Sequence, residues 1–168
     1  MRSKRKRFVS YYNTYFEKIY RYIFFRSGRD RELAEDLTSE VMIKAYEAFD
    51  DFDQSKNFSV WIYRIAHNHL VDHYKKVKKE IVAIEDAENE LEKDEKIVEN
   101  TDSKLSMEQV EMVLEMLPDQ QKEIIMMKYF QELSHKEIAG IMDMTEAHVR
   151  VLAHRALEML KKRLSFLT

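Results

Sequence analysis

Basic and imidazole side chains recur along one face of a C-terminal segment with the outline of a helix-turn-helix. The segment SHKEIAGIMDMTEAHVRVLAHRALEML, residues 134–160, predicts two helices joined by a very short turn. The buried stripe of its second helix is predicted to be Val149, Leu152, Ala156 and Leu160. The opposite face then exposes side chains suited to the major groove of DNA: His148, Arg150, Val151, His154 and Arg155. Arginine can pair bidentately with a guanine edge, and Arg and His can contact phosphates. The segment therefore predicts DNA binding, with a plain helical hairpin carrying a solvated face as the alternative.

A second candidate nucleic-acid face lies in the stretch WIYRIAHNHLVDHYKKVKK, residues 61–79, where aromatic and basic residues interleave. Aromatic rings can stack on unpaired bases while Lys and Arg contact the backbone. For Trp61 alone, an ordinary core or half-buried position is the favoured interpretation. His67, His69 and His73 do not all share one helical face and no acidic cluster accompanies them, so a metal site is not expected.

Composition favours an all-α protein. The 168-residue chain contains only 2 Gly and 1 Pro, whereas strand-and-turn architectures use more of both. Hydrophobic residues at 45% and charged residues at 35% indicate a folded, strongly helical chain and not a disordered one. The chain has no Cys, which excludes disulfides and cysteine-ligated zinc. The sequence contains neither a membrane-spanning apolar run nor the apolar core of a signal peptide, so we expect a cytoplasmic location.

The net charge of −3 is distributed unevenly. Residues 1–80 contain 17 Lys and Arg against 12 Asp and Glu, residues 81–104 contain 3 against 9, and residues 105–168 contain 8 against 10. Because local charge decides phosphate contact, the weakly acidic total is poor evidence against nucleic-acid binding. The middle segment also lacks aromatic residues. It predicts an acidic linker, with a solvated helix packed on one domain as the alternative.

Apolar residues recur at helical spacing in three N-terminal stretches, which predicts three amphipathic helices around a shared core. A break at residues 27–30 ends the first helix, the second begins near residue 31, and the third covers about residues 59–79, after a polar loop at residues 50–57. The predicted apolar stripes are, in chain order, Tyr12, Phe16, Ile19 and Ile23; Ala34, Leu37, Val41, Ala45 and Ala48; and Phe58, Ile62, Ile65 and His69.

The C-terminal helices carry recognisable start signals. Capping boxes are predicted at Ser106–Gln109 and Ser134–Glu137, and Pro118 is expected in the first turn of the intervening helix. The turn before the last helix is assigned to Asp143 and Met144. Thr145 is the predicted N-cap of that helix. The predicted organisation is two small helical domains, residues 1–80 and 105–168, joined by the linker at residues 81–104.

Two long stretches of the chain resemble regions of one protein family. AEDLTSEVMIKAYEAFDDFDQSKNFSVWIYRIAHNHLVDHYKK resembles region 2 of the sigma-70 family, and LPDQQKEIIMMKYFQELSHKEIAGIMDMTEAHVRVLAHRALEMLKKRL resembles its region 4. Both occur in the family's order, with only a short acidic segment between them. The chain is therefore similar to the extracytoplasmic-function sigma factors, the smallest class of that family.

The resemblance implies a role for each surface. The second helix would contact the clamp helices of the largest subunit of core RNA polymerase, through Asp36, Leu37, Ser39, Glu40, Val41 and Lys44. Residues 50–57 would capture a flipped base of the −10 element. The third helix would bind the exposed strand through Trp61, Arg64, His67, Asn68, Asp72, Lys75 and Lys76. The helix-turn-helix residues named above would read the −35 element.

The resemblance also defines the expected partners and the alternatives. Core RNA polymerase, promoter DNA and an anti-sigma factor are the partners that it implies, and no cofactor is expected. A helix-turn-helix regulator that does not join polymerase is the first alternative, and a purely helical interaction protein is another. No residue constellation suggests an enzyme, because the paired Asp and Glu residues lie on helix faces predicted to be solvated.

Overall fold

The computed structural model describes residues 2–84 and 107–165. Its helices are α1 (Arg2–Arg26), α2 (Arg31–Glu47), α3 (Phe58–Ile84), α4 (Met107–Glu115), α5 (Asp119–Ile125), α6 (His135–Met142) and α7 (Glu146–Ser165). A 3-10 turn follows α2 at Ala48–Asp51, and a π-helical turn follows α5 at Met126–Phe130. These described residues form helices and turns without strands, so the all-α prediction is confirmed. Most of the predicted linker and the predicted capping residue Ser106 lie outside the described residues.

The first two helices bury most of the apolar faces that the sequence predicts, although Tyr12 of the predicted α1 stripe is exposed. Ile19 and Ile23 of α1 are fully buried, as are Ala34, Val41 and Ala45 of α2. Gly28 and Arg29 adopt left-handed backbone conformations that reverse the chain, and Asp30 caps α2 by accepting a hydrogen bond from the Leu33 amide at 3.0 Å.

The buried stripe of α3 differs from the predicted one. Phe58 and Ile62 are buried as expected, but the stripe continues through Ala66 and Leu70, while Ile65 and His69 are only half-buried. The buried face is wider than one stripe because α3 packs against three helices, α1, α2 and α6.

An aromatic cluster fixes the start of α3. The Trp61 ring lies 4.8 Å from Phe52 and 5.2 Å from Phe58, and Phe49 packs beneath them. Trp61 is half-buried in this cluster, which confirms the favoured interpretation of that residue. The cluster holds the loop at residues 52–57 against the N-terminus of α3.

The C-terminal helices confirm the predicted helix-turn-helix. Ser134 and Glu137 form a reciprocal capping box at the start of α6, and Asp143 ends α6 in a left-handed conformation (φ 55°, ψ 48°). The Thr145 hydroxyl accepts a hydrogen bond from the His148 amide at 3.2 Å and so caps α7. Pro118 is the N-cap of α5, one residue before the helix, so it lies just outside the turn where it was expected.

The two groups of helices share one hydrophobic core. Buried residues of α1, α2 and α3 are continuous with Ile124, Met127, Ile138 and Val149 from the C-terminal helices. A smaller cluster joins α4 and α5 to α7 around Leu117 and Ala156, among others. The contact between the two groups was not predicted, because amphipathic periodicity shows which face is buried but not against which helix.

The capping box predicts a measurable contribution to stability. We expect Ser134→Ala to lower the free energy of unfolding by about 1 kcal/mol, since it removes the acceptor of the Glu137 amide. Urea unfolding followed by circular dichroism measures this change. The matched control is Ser10→Ala, at an exposed position inside α1. Alanine is favourable within a helix, so no loss of unfolding free energy is expected. Equal losses in the two variants would contradict the capping role.

Candidate nucleic-acid and polymerase interface

The predicted DNA-reading residues of α7 lie together on its exposed face. His148, Arg150, Val151, His154 and Arg155 are all exposed, and the side chains of Val149, Leu152 and Ala156 are buried beneath them. Arg150 Nη2 lies 2.5 Å from Glu146 Oε1, and His154 Nε2 lies 3.3 Å from Glu158 Oε1, each pair one helical turn apart. These pairs are more than one-third exposed and exchange readily with a phosphate or base, because exposed pairs contribute little stability.

His135, the first residue of α6, has a pKa below its ordinary value. Burial is the largest cause, the nearby charges of Lys128 and Arg150 lower the pKa further, and the Glu146 carboxylate acts in the opposite direction. The imidazole is therefore neutral at neutral pH.

The predicted residues of α3 divide into two groups. Asn68, Asp72, Lys75 and Lys76 are exposed along the outer part of the helix. Arg64 and His67 contact the C-terminal helices: Arg64 is also exposed, but its Nη2 donates to the Gly140 carbonyl at 3.1 Å, and the half-buried His67 has its Nδ1 2.7 Å from Glu123 Oε1. Two of the predicted strand-binding residues are therefore engaged within the protein itself.

Glu123 of α5 is at the centre of a buried polar cluster that the sequence did not predict. Its side chain is 1% exposed. Oε1 accepts hydrogen bonds from the Tyr22 hydroxyl and from His67, and Oε2 lies 3.4 Å from Arg26 Nη2. Three donors from α1 and α3 thus surround one carboxylate from α5. The only available sequence signal was the presence of this acid beside the apolar run IIMM.

Glu123 is ionised despite its burial. Burial alone would raise its pKa, but the hydrogen bond from His67 and the positive charge of Arg26 outweigh burial and lower the pKa below its ordinary value. Burial and the adjacent Glu123 charge both raise the pKa of Tyr22, so its phenol keeps the proton that it donates. The cluster therefore contains an ionised carboxylate, and its hydrogen-bond donors are held in place by α1 and α3.

The predicted polymerase-binding residues lie on α2 but do not all face outward. Asp36, Ser39, Glu40 and Lys44 are exposed, with the apolar side chain of Ile43 exposed beside them. Leu37 and Val41 are 3% and 0% exposed, so the expectation of a direct contact is corrected: they support this face from the core. His69 of α3 bridges Glu40 at 2.7 Å and Lys44 at 2.8 Å, which gives it a structural role.

Comparison with known proteins identifies the family. A model of sigma-70 region 2 matches residues 10–80, and a model of sigma-70 region 4 matches residues 107–160. The extracytoplasmic-function (ECF) RNA polymerase sigma factor SigW of Bacillus subtilis is 32% identical over 168 residues, with 94% of this chain and 88% of SigW covered. The chain belongs to the ECF sigma factors. A second B. subtilis ECF sigma factor, SigM, is 30% identical, with 89% of this sigma factor and 90% of SigM covered.

Solved structures agree on the fold. The sigma factor RpoE of Bartonella quintana, determined with the anti-sigma factor NepR, superposes with a TM-score of 0.76 at 21% identity, covering 95% of this chain and 98% of that one. CnrH, determined with the cytosolic domain of CnrY, superposes with a TM-score of 0.67 at 18% identity, covering 98% and 91%. These superpositions confirm the helical architecture, and the region models and the two B. subtilis relatives confirm the family resemblance.

Two further properties concern residues 2–84 and 107–165 of the sigma factor. In these ranges no helix is long and apolar enough to cross a membrane. Nor do the same ranges contain three His, Cys, Asp or Glu side chains grouped so that they could hold a metal ion. His67 and His69, two of the three histidines considered as metal ligands, contact carboxylates of α5 and α2 respectively.

The Glu123 cluster predicts a pH-dependent contribution to stability. Because the folded protein lowers the pKa of Glu123, its stabilisation is present above the ordinary value of 4.5 and is lost as the pH falls through the lower folded value. We expect Glu123→Gln to lower the apparent free energy of unfolding by about 2 kcal/mol at neutral pH.

Urea unfolding of both proteins across the acid range measures this difference. The gap between wild type and Glu123→Gln should narrow as the pH falls from 4.5 towards the lower pKa of the folded protein, below which the wild-type carboxyl is neutral in the folded state as well. A gap that stays constant from neutral to acid pH would contradict a charged Glu123.

Proposed function

We propose that this sigma factor binds core RNA polymerase and directs promoter-specific transcription initiation. The observation that carries the proposal is the presence of both sigma regions in one chain, in order, at residues 10–80 and 107–160. Region 2 alone would suggest a polymerase-binding module, and region 4 alone would suggest a module that binds double-stranded DNA. Together they supply both functions that promoter selection requires.

Region 4 is proposed to read the −35 element as duplex DNA. The exposed row of α7 supplies two guanidinium and two imidazole groups around Val151, a set that can pair with guanine edges, contact phosphates and pack on a thymine methyl group. The N-terminal part of α7 carries most of this row, as in other helix-turn-helix proteins, whose recognition helices contact bases near their N-termini.

Region 2 is proposed to open and bind the −10 element. The loop at residues 50–57 and the adjoining Trp61 cluster would receive a flipped base, and the exposed face of α3 would bind the unpaired strand. Unstacking a base costs a few kcal/mol, which stacking on an aromatic side chain and contacts from Lys75 and Lys76 would offset. Asn68 carries both a donor and an acceptor for a base edge.

The exposed face of α2 is proposed to contact polymerase. Asp36, Ser39, Glu40 and Lys44 supply polar groups around the exposed Ile43, and Leu37 and Val41 hold the helix from below. A mixed polar and apolar helix face of this kind suits docking on a coiled coil. An anti-sigma factor is a further proposed partner, and the bacterial cytoplasm, where polymerase works, is the proposed location.

The proposed division of the chain is region 2 at residues 1–80, an acidic linker at 81–104 and region 4 at 105–168. The protein itself is proposed to catalyse no reaction and to use no cofactor, since the polymerase performs the chemistry. The modest basicity of residues 1–80 fits this scheme, because the polymerase would supply much of the affinity for DNA.

Run-off transcription tests the proposal. We expect purified protein added to core RNA polymerase to give discrete transcripts from some members of a promoter library, while core enzyme alone gives none. Pull-down of core polymerase by the tagged protein is measured in parallel. Promoter DNA binding without pull-down or transcripts would instead establish the regulator that does not join polymerase.

The α7 row predicts a loss of promoter recognition on substitution. We expect Arg150→Ala and Arg155→Ala each to weaken promoter binding by the holoenzyme by about 1–3 kcal/mol, because each removes one guanidinium contact to a base or phosphate. Filter binding to the selected promoter measures the change.

Lys161→Ala is the matched control for these variants. It removes a cation from the exposed C-terminal part of the same helix, outside the proposed row, and only a small loss is expected. A loss equal to that of the arginine variants would show that general charge, and not the proposed row, determines binding.

A further inference from the structure

Four consecutive cations lie near the start of α1, outside every surface proposed above: Lys4, Arg5, Lys6 and Arg7, called the basic turn from here on. Lys4 is half-buried and the other three are exposed. The first acid of α1 in the sequence is Glu17, so no carboxylate one turn away within the helix balances these charges. The basic turn is therefore a concentrated positive surface that attracts anions.

Aromatic rings place the basic turn beside the loop at residues 50–57. Phe8 follows the turn directly, is 6% exposed and has its ring 5.3 Å from Phe49. Tyr11, about one helical turn further along α1, stacks on Phe58 at 4.0 Å. Phe49 and Phe58 flank the loop in the sequence, so these ring contacts hold the start of α1 next to both ends of the loop.

Two cations of the basic turn contact the edge of the loop directly. Lys4 Nζ lies 2.7 Å from Asp50 Oδ2, at the first residue of the loop, and 4.9 Å from the centre of the Tyr46 ring. The guanidinium carbon of Arg7 lies 5.7 Å from the centre of the Phe49 ring. An ammonium has three N–H donors and a guanidinium has five, so each group can still donate to a phosphate while it keeps these contacts.

The basic turn reverses the sign of the charge around the loop. The loop contains three carboxylates and one cation, Lys56, a balance that by itself repels a phosphate. One of these carboxylates, that of Asp53, accepts hydrogen bonds from the Ser55 amide at 3.0 Å and from the Ser55 hydroxyl at 2.7 Å. The four cations of the basic turn, together with Lys56, outnumber the loop carboxylates. A strand with a base in this loop therefore meets a net positive surface on the side of the basic turn.

Helices α1 and α3 run parallel, so the basic turn extends the proposed path of the strand. Tyr11 of α1 lies beside Phe58 at the start of α3, and the carbonyl of Arg26 at the end of α1 accepts a hydrogen bond from the Tyr74 hydroxyl far along α3. Residue 4 precedes Tyr11 by seven positions, which is about 10 Å along the helix. The exposed face of α3, the loop and the basic turn thus follow one another along these two helices.

We propose that the basic turn binds the phosphate backbone of the unpaired strand just beyond the captured base. Lys4 and Arg7 contact the phosphates, because these two cations lie at the loop, and Arg5 and Lys6 strengthen the local field. The site rests on the proposed function, in which region 4 binds the duplex on the −35 side and the strand passes along α3 to the loop. The nucleotides bound by the basic turn are those that follow the captured base towards the start site. Phosphate contacts carry no base information, so the site accepts any sequence.

Promoter DNA with one unpaired strand tests the site in the holoenzyme. Each probe contains the −35 duplex of a selected promoter and a single-stranded non-template strand, which ends either at the captured base or several nucleotides beyond it. We expect the longer strand to bind the wild-type holoenzyme more tightly, whatever the added sequence. Lys4→Ala combined with Arg7→Ala should abolish this gain. It should also reduce the slope of log affinity against log salt by about 1.4, at about 0.7 for each phosphate contact of a single strand.

Lys18→Ala combined with Arg21→Ala is the matched control. It removes two exposed cations of α1 with the same spacing, about three turns further along the helix from the loop, and should leave the gain and the slope unchanged. Arg7→Gln leaves the Lys4–Asp50 ion pair in place and should reduce the slope by about 0.7. Circular dichroism verifies that each variant is folded. A gain that survives Lys4→Ala with Arg7→Ala, or that the control pair loses equally, would overturn the site.

The remaining outcomes separate the site from the proposed function. Transcripts from the wild-type protein, with equal binding of the short and long probes, would support the sigma function and overturn the site. If the wild-type protein gives no transcripts, the sigma function fails, and fluorescence anisotropy of a single-stranded oligodeoxynucleotide with the full chain decides the site. Weaker and less salt-dependent binding by the Lys4 and Arg7 double variant than by the control pair would support it, and equal binding would overturn it. Binding to vesicles of anionic phospholipid, but to neither form of DNA, would assign the basic turn to a membrane surface and also overturn it.

Discussion

The Glu123 carboxylate lies between three helices, and a charge in such a place is tolerated only where donors surround it. Tyr22 and Arg26 must therefore lie on one face of α1, and His67 must lie on the adjoining face of α3. That requirement fixes the rotation of α1 and α3 relative to α5. The apolar contacts around it, from Ile124 and Met127, provide burial but are not directional. The carboxylate supplies the directional part of the contact.

Local features of the fold could be predicted from the sequence because their causes are local. The capping box at Ser134, the N-cap at Thr145 and the turn at Asp143 each depend on residues within one helical turn. The exposed face of α7 could be predicted from the helical spacing of its apolar residues, because the buried stripe defines the opposite face. For Trp61, a core or half-buried position was the favoured interpretation, and Phe52 and Phe58 of its cluster are near it in sequence. In each case the residues that decide the feature lie close together in the chain.

The features that were missed depend on residues far apart in sequence. Glu123 meets Tyr22 across 101 positions and His67 across 56, and no period or motif relates such positions. The stripe of α3 was displaced for the same reason, since α3 packs against α1, α2 and α6, and its buried residues include Ala66 and Leu70. Tertiary partners, which one sequence does not reveal, decided these positions. Leu37 and Val41 differ from them: the helical period already predicted their burial, and only the family resemblance assigned them a contact at the surface.

Arg64 and His67 of α3 contact the C-terminal helices and also belong to the proposed DNA-binding set, so each position is under two constraints. A substitution at either residue that changed a contact with DNA would also change the packing between α3 and the helices that follow. We therefore expect related chains that differ at Arg64 or His67 to differ at Gly140 or Glu123 as well, since these are the groups that the two side chains contact.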